Sequence, residues 1–284
     1  METYLVDGQE IRVHEEGKGR ATAILIHGWS SSWFAMSPLL PYLSQRYRCL
    51  AVDLPGFGES PKLPERATFP RYAELIGGLI EQVAAERPVM LVGHSMGGMI
   101  SVMVAKNKPD LLERMILLCP TISGDLALLI DLLLLPFVTM ERFPPSNALG
   151  TALEPLVGIT DSLMRPALFA DRSRISEEDF ERIIKDARRR DQGRVRAECF
   201  QAMRENDLRG KIGEIDVPTM IIWGMEDNTV PLRDASVVAE EWPEADLRII
   251  PNAGHWPHFE TPTITERYIR AFVSTPAKLL NFEL

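Results

Sequence analysis

"VMLVGHSMGGMI", residues 89–100, is an apolar run that breaks at Gly93 and resumes after Gly98. Two polar residues, His94 and Ser95, stand at the break between glycines. A plain strand-to-helix turn needs at most one glycine, yet this one has Gly93, Gly97 and Gly98 packed around a serine. Residues 93–97 fit G-x-S-x-G. Composition alone would produce that pattern about 0.1 times in such a chain, so its weight comes from context. An apolar run precedes it and a helix-like run, "GMISVMVAKN", follows, which is the strand–turn–helix setting the pattern requires. A turn this tight strains the serine backbone and leaves no room for side chains at the flanking positions. It lifts the hydroxyl clear of the sheet edge. The helix it opens aims free N–H groups and its positive end at the same place.

A serine hydroxyl is a poor nucleophile until a base takes its proton, and the base of choice is a histidine held by a carboxylate. The chain has five histidines. His14 falls in an N-terminal hairpin, His27 ends a strand, and His94 adjoins the serine on a divergent vector. His255 and His258 lie in "NAGHWPHFE", after the last strand. His255 follows a glycine in the loop and is preferred; His258, at the start of the last helix, is the alternative. For the carboxylate, Asp227 in "WGMEDNTVP" is preferred to Glu226 because a turn follows it, although an aspartate there could simply cap that turn. In a parallel sheet both loops emerge on the edge that carries Ser95, and the order Ser95, Asp227, His255 is the one expected for such a fold. Donors for a developing oxyanion are expected from the Met96 N–H and from the loop His27-Gly28-Trp29-Ser30, where Gly28 permits close approach and the Trp29 N–H points inward. The Trp29 indole is expected to wall the substrate pocket or to sit in the core.

Eight β-rich runs appear in order: "TYLV", "EIRVHEE", "TAILIHG", "RCLAVDL", "VMLVGHS", "RMILLCP", "PTMIIWG" and "LRIIPNA". The first two read as a hairpin around Asp7-Gly8. The later ones are continuous apolar runs, as strands covered on both faces require. Between them, "FPRYAELIGGLIEQVAAE" places Tyr72, Leu75, Ile76, Leu79, Ile80 and Val83 on one helical face. The alternation predicts an α/β fold: a mostly parallel eight-stranded sheet with helices on both faces. It fails once, over residues 120–212, where no good strand occurs. Apolar helices are expected near 124–135 and 148–157, and charged ones at "SEEDFERIIKDARRRD" and "GRVRAECFQAMREND", with Ser176 and Asp179 resembling a capping box. This stretch reads as a helical lid inserted after the sixth strand, between core segments 1–119 and 213–284, because loops at the carboxyl ends of parallel strands surround the ligand crevice.

The chain of 284 residues carries a formal charge of −9, which offers no basic face for nucleic acid. Its three cysteines, Cys49, Cys119 and Cys199, are far apart, so neither a disulfide framework nor a zinc site is expected. "LALLIDLLLLPFVTM", residues 126–140, is too short and too interrupted by Asp131 and Pro136 to span a membrane. The N-terminal residues show no signal-peptide pattern, and a cytoplasmic setting is the default expectation. Nothing in the sequence reads on oligomeric state.

"HGWS" at 27–30, "DLPGFGES" at 53–60, "GHSMGG" at 93–98, "WGMEDNTVP" at 223–231 and "GHWPHFE" at 254–260 together resemble the α/β-hydrolase fold superfamily over nearly the whole chain. The resemblance implies a triad of Ser95, Asp227 and His255, an oxyanion hole from Trp29 and Met96, and a cap over residues 120–212. His27, Gly28, Gly93 and Gly97 would shape that site. No metal or organic cofactor is implied. Dehalogenases and epoxide hydrolases of this fold carry an aspartate where Ser95 stands. The pairing of "HGW" with "GHSMGG" is similar to bacterial aryl esterases and perhydrolases. The C–C bond hydrolases of aromatic degradation share the triad but often carry "HGxGPG", which is absent here. The expected activity is hydrolysis of a small carboxylic ester with a hydrophobic acyl or aryl part, recognised by cap residues such as Leu132–Leu135 and Phe137. The alternatives are a C–C bond hydrolase or lyase with the same triad, and a small-molecule receptor on this fold.

Overall fold

The computed structural model of the chain describes residues 1–84, 88–128, 130–132, 135 and 168–276. All eight expected strands form: β1 Glu2–Val6, β2 Gln9–Glu16, β3 Ala21–Ile26, β4 Tyr47–Asp53, β5 Val89–His94, β6 Leu112–Leu118, β7 Thr219–Gly224 and β8 Asp246–Ile250. They make one sheet in the order β1-β2-β4-β3-β5-β6-β7-β8. Only the first two ladders, β1 with β2 and β2 with β4, are antiparallel. The β1–β2 turn puts Asp7 and Gly8 at φ 48° and 76°, the paired left-handed geometry that suits a two-residue hairpin.

The main helices are α1 Leu40–Leu43, α2 Phe69–Val83, α3 Met96–Asn107, α4 Glu177–Ala187, α5 Gly193–Glu205, α6 Leu232–Glu241, α7 Pro257–Glu260 and α8 Pro262–Ser274. The apolar stripe of α2 is buried as expected at Tyr72, Leu75, Ile76, Leu79 and Ile80, and Thr68 caps its start by accepting the Arg71 N–H. Strand alternation divides the core into two layers. Ile24, Ile26, Leu50, Val52 and Leu91 face α2 and α3 on one side of the sheet. Ala23, Leu25, Cys49, Ala51, Met90 and Val92 face α1 and α8 on the other.

Between β6 and β7 the described residues hold helices and no strand. Ser176 caps α4 as expected, accepting the Asp179 N–H at 3.0 Å. The apolar stretch from Leu126 is amphipathic where it is described. Leu126 and Ile130 join the core, whereas Leu128, Leu132 and Leu135 are 74%, 62% and 45% exposed. Leu133, Leu134, Phe137 and the helix expected near 148–157 fall outside the described residues. No helix among the described residues is long and apolar enough to cross a membrane.

A third cluster ties this insertion to the core. Phe169, Ile175, Phe180 and Ile183 pack with Ala35, Trp256 and Phe259, the last two flanking His258 in the loop after β8.

Candidate active site

β5 ends level with its neighbours: Gly93 pairs with Ile26 of β3 and Leu117 of β6. The chain then turns into α3 within one residue. Ser95 sits at φ 54°, ψ −117°, a left-handed conformation that costs a non-glycine residue on the order of 1–3 kcal/mol. The glycines explain how the turn closes. A Cβ at Gly93 would lie 2.5 Å from the Gly97 carbonyl oxygen, and one at Gly97 would lie 2.4 Å from that of Ile26. Ser95 itself is held by its backbone: its N–H donates to Leu118 O at 2.9 Å, and its carbonyl accepts from Gly98 and Thr121. As the first residue of α3, Met96 offers an N–H that has no acceptor within the helix.

The loop after β3 lies directly against this turn. A Cβ at Gly28 would stand 3.1 Å from the Ser95 Cβ and 3.2 Å from His94 Nδ1. His27 is fully buried and fixes the loop. Its Nε2 accepts the Leu54 N–H at 3.1 Å, so its proton is on Nδ1, which donates to the Gly28 carbonyl at 2.7 Å. Burial lowers its pKa to about 4, which keeps the ring neutral and the tautomer fixed. No peptide bond among the described residues is cis. With the Gly28 carbonyl turned onto His27, the Trp29 N–H in the same trans peptide must point the opposite way. The Trp29 indole does something the sequence reading left open: it donates to the Arg196 carbonyl in α5 at 2.9 Å and packs against Phe200.

Asp227 and His255 meet as expected. Asp227 Oδ2 faces His255 Nδ1 at 2.8 Å, with both side chains buried. The turn-capping alternative for Asp227 is also realised, on its other oxygen: Oδ1 accepts the N–H groups of Thr229 at 2.8 Å and Val230 at 3.0 Å. Parallel pairing of β7 with β8 brings these loops together. Gly224 is needed there, since a Cβ would lie 2.1 Å from the Gly254 carbonyl oxygen. Glu226, the rival carboxylate, accepts the Ala253 N–H instead. His258, the rival base, is fully buried, donates from Nε2 to the Ala35 carbonyl at 2.8 Å and has its pKa lowered to about 3 by burial.

His94 links Ser95 to the histidine loop. Its Nε2 donates to the His255 carbonyl at 2.9 Å, and the two rings lie 4.8 Å apart. Among the described residues no hydrogen bond joins Ser95 Oγ to His255 itself; such contacts often tighten only around bound substrate. Ser95, Asp227 and His255 are each buried, at 7%, 6% and 3% exposed.

Three participants escaped the sequence reading. Asp53 ends β4 and accepts the N–H groups of Trp33 and Glu59; a Cβ at Gly58 would strike its carboxylate, so Gly58 of "DLPGFGES" lets the loop wrap it. Cys119 is buried with φ 43° and lies beside both Asp227 and His255, with its sulfur, an Asp227 carboxylate oxygen and a His255 ring nitrogen all within 4.8 Å of one another. Glu260 accepts the backbone N–H groups of Gly254 in the histidine loop and of Ala170 in the insertion. Only the motif around Asp53 left a trace in the sequence, as its cluster of glycines and proline.

The model of the α/β hydrolase fold family matches residues 24–262. A hydrolase of Bacillus subtilis, YugF, is 30% identical over 292 residues, covering 95% of this chain and 96% of its own. A 2-hydroxy-6-oxononadienedioate/2-hydroxy-6-oxononatrienedioate hydrolase of Pseudomonas putida is 25% identical, covering 93% of this chain and 91% of its own. Among solved structures, a thermophilic esterase from Thermogutta terrifontis superposes with a TM-score of 0.78 at 23% identity, covering 96% of this chain and 97% of that one; at that identity the likeness is one of fold. By the span of the family match and the length of the Bacillus alignment, the chain belongs to the α/β-hydrolase fold family.

Proposed function

We propose that the chain is a serine hydrolase that cleaves a carboxylic ester with a hydrophobic acyl or aryl part. The observation that carries the reading is the buried Asp227–His255 pair, whose loop is hydrogen-bonded to His94 next to a serine held at a strained strand-to-helix turn. In this reading Asp227 holds His255 with its proton on Nδ1, leaving Nε2 free to take the Ser95 proton. Ser95 Oγ attacks the ester carbonyl. The Trp29 and Met96 N–H groups hold the oxyanion as it forms, and His27 keeps the Trp29 peptide turned the right way. The alcohol leaves with the proton from His255, and water activated by the same ring then releases the acid. Residues 120–212 act as the cap over this site.

A second reading has support of its own. The Pseudomonas putida relative is named as a hydrolase of 2-hydroxy-6-oxononadienedioate and 2-hydroxy-6-oxononatrienedioate, which supports the alternative of C–C bond hydrolysis. The same Ser95, Asp227 and His255 would serve that chemistry. The oxyanion loop "HGWS" favours the ester reading, by its similarity to aryl esterases. A panel of p-nitrophenyl esters of increasing acyl length, assayed beside a vinylogous diketone, decides between them. Ester turnover with higher kcat/KM, and loss of all turnover in Ser95→Ala, is the expected result. Faster turnover of the diketone establishes the C–C reading. Tight ligand binding with no turnover of either class defeats both and points to a receptor.

A further inference from the structure

We infer that Glu260 is a positioning residue that clamps the loop carrying His255 onto the return limb of the helical insertion, so that the base and residues 168–170 are held as one unit. The inference rests on the proposed role of His255. Glu260 is 4% exposed. Both its oxygens accept from the Gly254 N–H, at 2.9 and 3.1 Å, and from the Ala170 N–H, at 3.3 and 2.9 Å. Beside it the His255 N–H donates to the Leu168 carbonyl at 3.0 Å. The two backbones are so close that a Cβ at Gly254 would lie 2.7 Å from the Ala170 nitrogen and 3.0 Å from Glu260 Oε1. The apolar cluster of Phe169, Phe180, Trp256 and Phe259 seals the same junction.

The chemistry at this junction asks for a carboxylate. Both chain segments present N–H groups, so the side chain between them must be an acceptor at both oxygens; an amide would turn an NH2 toward a donor. No cation lies within ion-pair distance of Glu260 among the described residues. A buried, unpaired carboxylate is costly, and burial here pushes the pKa up to about 7 in spite of the N–H donors. Such a group at the residue next to the base holds it against the insertion at a cost to the fold, which is the pattern of a site arranged for position rather than for stability.

The test compares Glu260→Gln with the wild type at a temperature well below either melting point. It measures kcat and KM for a p-nitrophenyl ester, and the second-order rate at which a fluorophosphonate labels Ser95. The clamp predicts that kcat and the labelling rate fall together by about tenfold, from misplacement of the base, while KM stays within about twofold. A folded variant with wild-type kcat and labelling rate overturns the inference, whatever its melting temperature. Should Glu260→Gln not fold, amide exchange of the wild type decides. The clamp requires the Gly254 and Ala170 N–H groups to exchange with matching protection, and values more than about tenfold apart overturn it. A wild type that neither turns over esters nor labels at Ser95 sinks the proposed hydrolase instead, and leaves the exchange result to judge the clamp.

Discussion

Asp53 and Asp227 are two buried aspartates at the carboxyl edge of one sheet, 1% and 6% exposed. Each has an oxygen committed to backbone N–H groups of the turn beside it. They part at the other oxygen. Asp53 spends both on the backbone, Oδ1 on Trp33 and Oδ2 on Glu59. Asp227 spends Oδ1 on its turn and presents Oδ2 to His255. Burial and turn capping are thus common to a scaffold aspartate and a candidate triad acid. What separates them is whether one oxygen is left for an imidazole.

The comparison breaks first at Ser95. Ser95→Ala is expected to lower kcat by about 10⁴-fold or more with the melting temperature kept, since only the hydroxyl is removed. Wild-type turnover in that variant would make the Asp227–His255 pair irrelevant to activity. Next comes the aspartate pair itself. Asp227→Asn should cost on the order of 10³–10⁴ in kcat by destabilising the working tautomer of His255. Asp53→Asn should leave kcat within about threefold in the folded protein. Equal losses in the two variants would erase the distinction.

A third prediction sets His255 against His258 in the same way. His258→Gln should retain most activity where His255→Gln loses it, because His258 Nε2 is committed to the Ala35 carbonyl.

The smallest effects are in stability. Asp53 has its pKa raised from 3.8 to about 6 by burial. A raised acid pKa means that the folded state favours the protonated form. Its contribution is therefore fully present below pH ~3.8 and is lost as pH rises through about 6, by roughly 3 kcal/mol. Denaturant melts across that window should show a shallower pH dependence in Asp53→Asn than in the wild type. His27 and His258, lowered from 6.5 to about 4 and about 3, act in the opposite sense: their contribution is present above pH 6.5 and is lost as pH falls through those values. His258→Gln should flatten the acid side of the same curve.

Most of the sheet was legible because strands covered on both faces are written as continuous apolar runs, and the elbow because its glycines have no other use. Asp227 and His255 were legible as chemistry in loops of known topological position. Glu260 was not, since a carboxylate that accepts backbone N–H groups leaves neither period nor spacing in the chain, and Asp53 left only the glycines and proline that follow it. The facing of the insertion was not legible for a related reason. "LALLIDLLLL" is apolar almost all round, so only packing reveals that Leu126 and Ile130 turn in while Leu132 and Leu135 turn out.

Three hydrogen bonds tie residues 29–32 to the insertion: the Trp29 indole to Arg196 O, Ser30 Oγ to Ala187 O, and Ser32 Oγ to the Asp186 carboxylate. Two of the three acceptors are main-chain carbonyls, which every amino acid supplies. The insertion is thereby free to change its side chains, and with them the molecules it admits, without releasing the loop that faces Ser95. Asp186 is the one position in that seam where the identity of the residue is constrained, and a graft of foreign helices onto this core would have to keep it.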